Sequence, residues 1–194
     1  MGALVRTERK ALQAQEEQAA ARQYLTFMVG EEAFANAIAS IKEIIEYRKP
    51  TDVPMMPGFM RGVINLRGRV VPVIDLSVRF GRAALEATRR SCIVIMEVRH
   101  EGETHEVGVM VDTVSAVLEI AESDIEPAPS FGANLRAEFI SGMGKIAEKF
   151  VIILDMDKVL SIEELSNLAA IAEGPQTSLP PPVQEAGALP RLQA

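Results

Sequence analysis

The sequence predicts a mainly β protein built from two small tandem β-barrels or sheets. The first observation is an internal repeat, because the segment 59–76 recurs without a gap at 139–156, 80 positions later. The second is that each copy offers about five short apolar runs separated by polar or Gly-containing turns, which suits a small closed barrel better than an open sheet with bare edges. A tandem duplication accounts for both observations. The positions identical in the two copies are Phe59, Gly62, Val71 and Asp75, which recur as Phe139, Gly142, Val151 and Asp155.

Composition narrows the class of protein. Of 194 residues, 48% are hydrophobic but only 5% aromatic, and Trp is absent, so the core must be aliphatic. The net charge of −7 argues against binding to nucleic acid or to anionic lipid. No apolar run approaches the roughly 20 residues of a spanning helix, and the N-terminus has no apolar signal region. A single cysteine excludes an internal disulfide framework. We expect a soluble cytoplasmic protein with no direct membrane insertion.

The first copy is preceded by residues 1–22, whose Ala, Gln, Glu and Arg content predicts a helical or disordered extension. Strands are then predicted at 24–29 and 33–38. The segment 40–47 is open between a short helical turn and a strand, since short apolar runs are ambiguous by period. Pro50, Pro54 and Pro57 favour an extended connection to the hairpin formed by 62–66 and 70–74, and a short turn follows at 77–81.

The second copy begins at Ser91, with a strand at 92–98, a polar turn at 100–106 and a returning strand at 107–111. The segment 112–119 then matches 39–46 at an offset of 73. We therefore predict a first barrel at roughly 23–82 and a second at roughly 91–160. A capping box beginning at Ser161 predicts a short C-terminal helix that ends before Gly174. Residues 166–194 are predicted to be the end of that helix and a flexible Pro-rich tail.

Support for catalysis or metal binding is weak. Both histidines, His100 and His105, lie in the polar run HEGETHE, which is typical of an exposed hairpin end rather than a metal site. Cys92 begins an apolar strand and is read as a core residue rather than a nucleophile. The run from Gly142 to Lys145 lacks the spacing of a phosphate loop. We predict no catalytic, cofactor or metal site, and we expect Asp155 to end a strand and cap the turn that follows.

One pair of charges distinguishes the two copies. Arg67 lies at the turn of the first repeated hairpin and Glu43 in the apolar segment before it, but their counterparts are Ala147 and Ala116. Because both charges are replaced together, we predict that Glu43 and Arg67 form a pair specific to the first copy. The alternative is a coincidence between two exposed charges, which contribute little to stability. The hypothesis is that the pair borders a binding surface together with Ile38 and Ile41.

These segments resemble the CheW family, the adaptors of bacterial chemotaxis arrays. In the first copy the resemblance lies in 24–32, in 41–44, and above all in the NLRG hairpin 62–68 with its PVIDL continuation at 72–76. In the second it lies in 108–112, 125–129 and 151–155. It covers roughly residues 23–165 and preserves order and spacing.

The resemblance implies two packed five-stranded SH3-like β-barrels and no enzymatic activity. It also implies that the chain couples methyl-accepting chemotaxis receptors to the regulatory domain of a CheA-type histidine kinase at membrane receptor arrays. The alternative is a CheW-like scaffold of a non-flagellar chemosensory system. In the family, receptors bind an apolar groove between the barrels. Carried onto this sequence, the receptor and kinase interaction residues are Ile38, Ile41, Glu43, Gly62, Asn65 and Arg67.

Overall fold

The computed structural model describes residues 21–100, 102–128 and 136–159. Most of these residues lie in strands, which confirms the predicted mainly β class. The N-terminal extension, the C-terminal helix and the Pro-rich tail predicted from the sequence lie outside the described residues. The strands are β1 (Arg22–Val29), β2 (Glu32–Ala37), β3 (Ile41–Glu46), β4 (Met60–Leu66), β5 (Arg69–Asp75), β6 (Cys92–His100), β7 (Glu103–Val111), β8 (Thr113–Ile120), β9 (Ile125–Glu126), β10 (Ile140–Ile146) and β11 (Lys149–Leu154).

Two one-turn helices, α1 (Leu76–Arg79) and α2 (Met156–Val159), follow the two repeated hairpins. Short 3₁₀ turns occupy Ile38–Ser40, Glu122–Asp124 and Ala137–Phe139. The ambiguous segment 40–47 is thus resolved as strand β3 after a 3₁₀ turn. The polar turn predicted at 100–106 was too long, because β6 and β7 continue to a His100–Glu103 pair. Strands pair through backbone hydrogen bonds, which charged side chains do not prevent. The polar sequence alone therefore could not show how far the two strands of this hairpin continue.

The strands form two mostly antiparallel sheets. One, barrel I, has the order β3-β6-β7-β5-β4, and the other, barrel II, has the order β8-β1-β2-β11-β10-β9. Barrel I closes where the connector after β3 meets β4 at a Thr51–Val63 bridge. In barrel II, β8 and β9 are the first and last strands of the sheet. The barrel closes where the chain connects them through the 3₁₀ turn Glu122–Asp124. The two small barrels predicted from the repeat, which the resemblance implies to be SH3-like, are therefore confirmed, although the sheet of barrel II has six strands rather than five.

The predicted boundaries of the barrels, 23–82 and 91–160, were wrong. Each barrel takes its first hairpin from the opposite copy of the repeat: β1 and β2 pair with β8 and β11, whereas β6 and β7 pair with β3 and β5. The exchange passes through the 3₁₀ turn Ile38–Ser40 in one direction and through Asp112 in the other. The physical reason is that a duplication fixes which strands are equivalent but not which copy supplies each hairpin, since either pairing buries the same apolar side chains.

The two barrels share a main core, and barrel II has a second, smaller cluster of buried side chains around Tyr24 and Ile153. Buried side chains from both, among them Phe34 of barrel II and Val109 of barrel I, form a single cluster. Phe80, which follows α1, lies with its ring centroid 5.4 Å from that of Phe34 and 6.4 Å from that of Phe139. The Arg79 guanidinium contacts the rings of Phe139 and Phe59, its repeat counterpart, at 5.2 and 5.0 Å from their centroids. Strand exchange and this aromatic contact hold the barrels together.

Residues identical in both copies hold equivalent positions in the two repeated hairpins. Phe59 and Phe139 each accept a hydrogen bond through their carbonyl from the backbone N–H of Asp75 or Asp155, at 2.8 and 2.9 Å. Each hairpin also has a register shift just before its glycine, between Met60 and Gly62 and between Ile140 and Gly142. As predicted, Asp155 lies at the end of a strand, directly after β11, and precedes a helical turn. The capping role predicted for it stays a prediction.

Candidate functional site

Strand β3 presents Glu43 at the edge of barrel I. The register against β6 shifts between Ile41 and Glu43, so Lys42 is displaced outward in a bulge. Beyond the bulge, burial alternates: Glu43 and Ile45 are half-buried, whereas Ile44 is exposed. Such bulges re-aim side chains at sheet edges. Here the bulge places the Glu43 carboxylate beside the neighbouring hairpin and leaves Lys42 to pair with Glu97 at 2.6 Å.

The turn of the β4–β5 hairpin presents Arg67. The two turn residues, Arg67 and Gly68, have φ of 54° and 88°, which is the left-handed geometry that matches the twist of a two-residue hairpin. The Asn65 side-chain Oδ1 accepts a hydrogen bond from the Gly68 backbone N–H at 2.8 Å. Asn65 therefore shapes the turn from which Arg67 projects.

Glu43 and Arg67 are in contact. Arg67 Nη2 donates to Glu43 Oε2 at 2.9 Å, with 76% of the Arg67 side chain and 24% of the Glu43 side chain exposed. The contact joins β3 to the β4–β5 hairpin, and β3 and β4 are the two outermost strands of barrel I. The predicted pair is confirmed as a contact, and its role in binding a partner remains a prediction.

The other predicted residues act around this pair in different ways. Ile38 and Ile41 lie where the chain crosses between the barrels, and both are half-buried against the shared core. Gly62 is buried with φ of 119°, and a Cβ there would overlap the Thr51 carbonyl oxygen. Gly62 thus permits the bridge that closes barrel I and offers no side chain to a partner. The structure brings Glu43, Asn65 and Arg67 together through one hairpin and one edge strand.

The matching surface of barrel II lacks the ion pair and carries other exposed charges, those of Lys145, Glu148 and Lys149. Ala116 and Ala147 replace the charged pair, both exposed, and Ala147 has the same φ of 54° as Arg67.

Two exposed hydrophobic side chains on each barrel also occupy equivalent repeat positions, and the patterns of single segments did not predict them. Comparing the two copies at offsets of 73 and 80 could have found them. They are Ile44 and Val70 on barrel I, 43% and 37% exposed, and Val117 and Phe150 on barrel II, both 49% exposed.

Two grooves lie near these surfaces. One of about 300 Å³ lies between the barrels, but its walls include the polar residues Asn36, Glu97, Arg99, Asp155 and Asp157. The resemblance implied an apolar groove between the barrels, whereas this one is lined by both polar and apolar side chains. Beside it, a hydrogen bond from the ammonium to Asp155 raises the pKa of Lys158.

The second groove, of about 470 Å³, opens where β5 and β7 diverge. Their parallel pairing covers only three residue pairs, beginning at Val73 and Gly108. Arg69 Nη1 and Glu106 Oε1 form a salt bridge of 2.5 Å in the wall of this groove.

The described residues hold no cluster of three or more His, Cys, Asp or Glu side chains that could bind a metal. His105 Nε2 lies 3.9 Å from Glu103 Oε2. The Cys92 thiol, in strand β6, donates to the Arg90 carbonyl oxygen at 3.4 Å. Within the same part of the chain, no helix has the length and hydrophobicity needed to cross a bilayer.

Comparison with known proteins gives a consistent result. The family model described as "CheW-like domain" matches residues 23–164. The chain is 33% identical over 152 residues to the chemotaxis protein CheW of Klebsiella aerogenes, covering 78% of this chain and 89% of that protein. It is 34% identical over 143 residues to the chemotaxis protein CheW of Rhizobium meliloti, covering 74% and 90%. The crystal structure of the scaffolding protein TtCheW from Thermoanaerobacter tengcongensis superposes with a TM-score of 0.67 at 31% identity, covering 74% of this chain and 95% of that one.

Proposed function

This chain belongs to the CheW family, and from that premise we propose that it is a non-catalytic scaffold coupling methyl-accepting chemotaxis receptors to a CheA-type histidine kinase. The names of the similar proteins support a role in chemotaxis, and the similarity to TtCheW, a scaffolding protein, supports a scaffold role. No observation favours the alternative of a non-flagellar chemosensory system.

The observation that carries the proposal is the Glu43–Arg67 contact. An exposed ion pair adds only about 0–1 kcal/mol to stability, so folding gives little reason for it. Barrel II folds with alanines at both equivalent positions. The pair is therefore dispensable for a barrel of this kind, and a role in recognition accounts for its presence on barrel I alone.

The surface around the pair has the composition of a protein-binding site. The exposed Ile44 follows Glu43 on β3 and, by strand alternation, lies on the opposite face of the strand. The exposed Val70 follows Arg69 at the start of β5. An apolar centre with a charged border is the usual anatomy of a protein interface, in which the border contributes specificity and association rate. We assign this surface, bordered by Ile38 and Ile41 at the crossover between the barrels, to contact with the receptor or the kinase.

The experiment is reconstitution. The full chain is mixed with receptor-containing membranes and a CheA-type kinase, the membranes are sedimented, and kinase phosphorylation is measured in the pellet. We expect the chain to sediment with the membranes, to recruit the kinase and to raise its activity. Failure to raise kinase activity in the presence of both partners would overturn the coupling function.

A further inference from the structure

We propose that Met55 is a reversible peroxide-oxidation site built into the connector between β3 and β4. Met55 is the one fully exposed methionine of the described chain, whereas the others there are half-buried or buried. Thioether oxidation follows exposure, because the oxidant must reach the sulfur atom. The site is separate from the Glu43–Arg67 surface and does not depend on the proposed function.

The backbone holds Met55 outward. Its φ is 63°, a left-handed conformation that is uncommon for a residue with a side chain. Prolines at 54 and 57 flank it, and each fixes its own φ. The connector is fastened on both sides, by the reciprocal hydrogen bonds of Thr51 and Val63 at 2.8 and 2.9 Å and by the bond from Met60 N–H to the Pro57 carbonyl at 2.9 Å. A fixed loop therefore exposes this sulfur permanently, without any opening of the fold.

The neighbouring methionine provides an internal comparison. Met56 is half-buried and packs against the shared core, although it is covalently adjacent to Met55. Sulfoxide formation makes an apolar side chain polar, which disrupts cores. Oxidation at Met56 would place a polar group against the core, whereas oxidation at Met55 changes only the surface. In the second copy the matching position, at an offset of 73, is Ala128, so the site is specific to the first copy.

The reaction is a two-electron oxygen transfer from a peroxide. The Met55 sulfur attacks one peroxide oxygen, the S–O bond forms as the O–O bond breaks, and the departing hydroxide takes up the proton of the transferred oxygen to leave as water. Sulfur is oxidised to the sulfoxide and the peroxide is reduced. Methionine sulfoxide reductases, one for each sulfoxide epimer, reverse the change with two electrons from a dithiol, which becomes a disulfide as the oxygen leaves as water.

The test treats the full chain with limiting hydrogen peroxide and follows each methionine by peptide mass spectrometry over time. Met55 should oxidise at least about tenfold faster than Met56 or Met60 because only its sulfur is fully exposed. The thermal midpoint should stay unchanged at one oxidation per chain, and a mixture of the two reductases should restore the original mass.

The variant M55L provides the control, since it removes the sulfur and keeps an apolar side chain. It should lose the fast oxidation while the rates at Met56 and Met60 stay the same. Equal oxidation of Met56 and Met55, a lowered thermal midpoint after one oxidation, or failure of the reductases to restore the mass would each overturn the proposal.

Discussion

Arg67 Nη2 lies 2.9 Å from Glu43 Oε2, and this contact joins β3 to the turn of the β4–β5 hairpin in barrel I. At the equivalent positions of barrel II the side chains are alanines, although the hairpin turn keeps the same φ of 54° at Ala147. One scaffold thus presents two surfaces that differ in their charged side chains, since barrel II carries Lys145, Glu148 and Lys149 but no ion pair at these positions. A duplicated fold with distinct surfaces suits a protein that must hold two different partners.

Charge reversal tests whether a partner reads the Glu43–Arg67 pair. We expect Glu43→Arg or Arg67→Glu alone to weaken co-sedimentation with receptor and kinase by roughly tenfold, because like charges at an interface are costly. The free energy of unfolding should change by only about 1 kcal/mol, since the Arg67 side chain of the pair is largely exposed to solvent. The double reversal should restore co-sedimentation at least partly if the two residues act as a pair.

A matched control is the Arg82–Glu32 contact of 2.7 Å, which is another surface salt bridge away from this hairpin. Reversing its charges should leave co-sedimentation unchanged. Equal losses from both pairs would show that net surface charge, rather than the Glu43–Arg67 surface, governs binding.

Gly62→Ala should destabilise the protein by more than about 3 kcal/mol, because a left-handed φ alone costs roughly 1–3 kcal/mol and the new Cβ would overlap the Thr51 carbonyl oxygen. Chemical denaturation monitored by circular dichroism measures the loss. Gly58→Ala is the control, since nothing lies within 4 Å of a Cβ there and its φ is not left-handed. A stable Gly62→Ala variant that fails only in partner binding would instead support the direct interaction role predicted from the resemblance.

Much of this architecture could be predicted from the sequence because it depends on local chemistry. The hairpin has Gly68 at a turn position with positive φ, and apolar runs rich in β-branched residues mark the strands on either side. The Glu43–Arg67 contact was accessible because the repeat supplied a comparison within one chain.

The exchange of hairpins between the barrels could not be predicted. It depends on where the chain turns at Ile38–Ser40 and at Asp112, and these short crossovers carry no distinctive pattern. Asp112 is held by hydrogen bonds to the β1–β2 hairpin, from its N–H to the Met28 carbonyl and from Gly30 N–H to its carboxylate. Such contacts connect residues more than 80 positions apart, so only the folded structure shows them.

Substitutions of Asn65 test whether this residue only shapes the turn or also contacts a partner. Loss of the hydrogen bond from Gly68 N–H to Asn65 Oδ1 should cost about 1 kcal/mol of stability. Asn65→Asp keeps the acceptor oxygen, so it should retain stability and present Arg67 in the same way. If Asn65→Asp folds normally but no longer sediments with receptor and kinase, the amide itself contacts a partner, and a purely structural role is excluded.

Asp75→Ala should be among the most damaging single changes in barrel I. The Asp75 carboxylate is fully buried and accepts hydrogen bonds from the backbone N–H groups of Ser77, Val78 and Leu85, at 2.9, 3.3 and 2.9 Å. Leaving such buried donors unpaired costs about 1–3 kcal/mol each. We therefore expect a loss of at least about 3 kcal/mol, measured by chemical denaturation.

Asp155→Ala, at the equivalent position of barrel II, is the matched control for Asp75→Ala. The half-buried Asp155 carboxylate pairs with Lys158 at the surface, so the loss of stability should be much smaller, because water can replace an exposed partner. Equal losses at the two positions would show that burial of the Asp75 carboxylate is not the source of its effect. Both aspartates would then stabilise the end of their strand to the same extent.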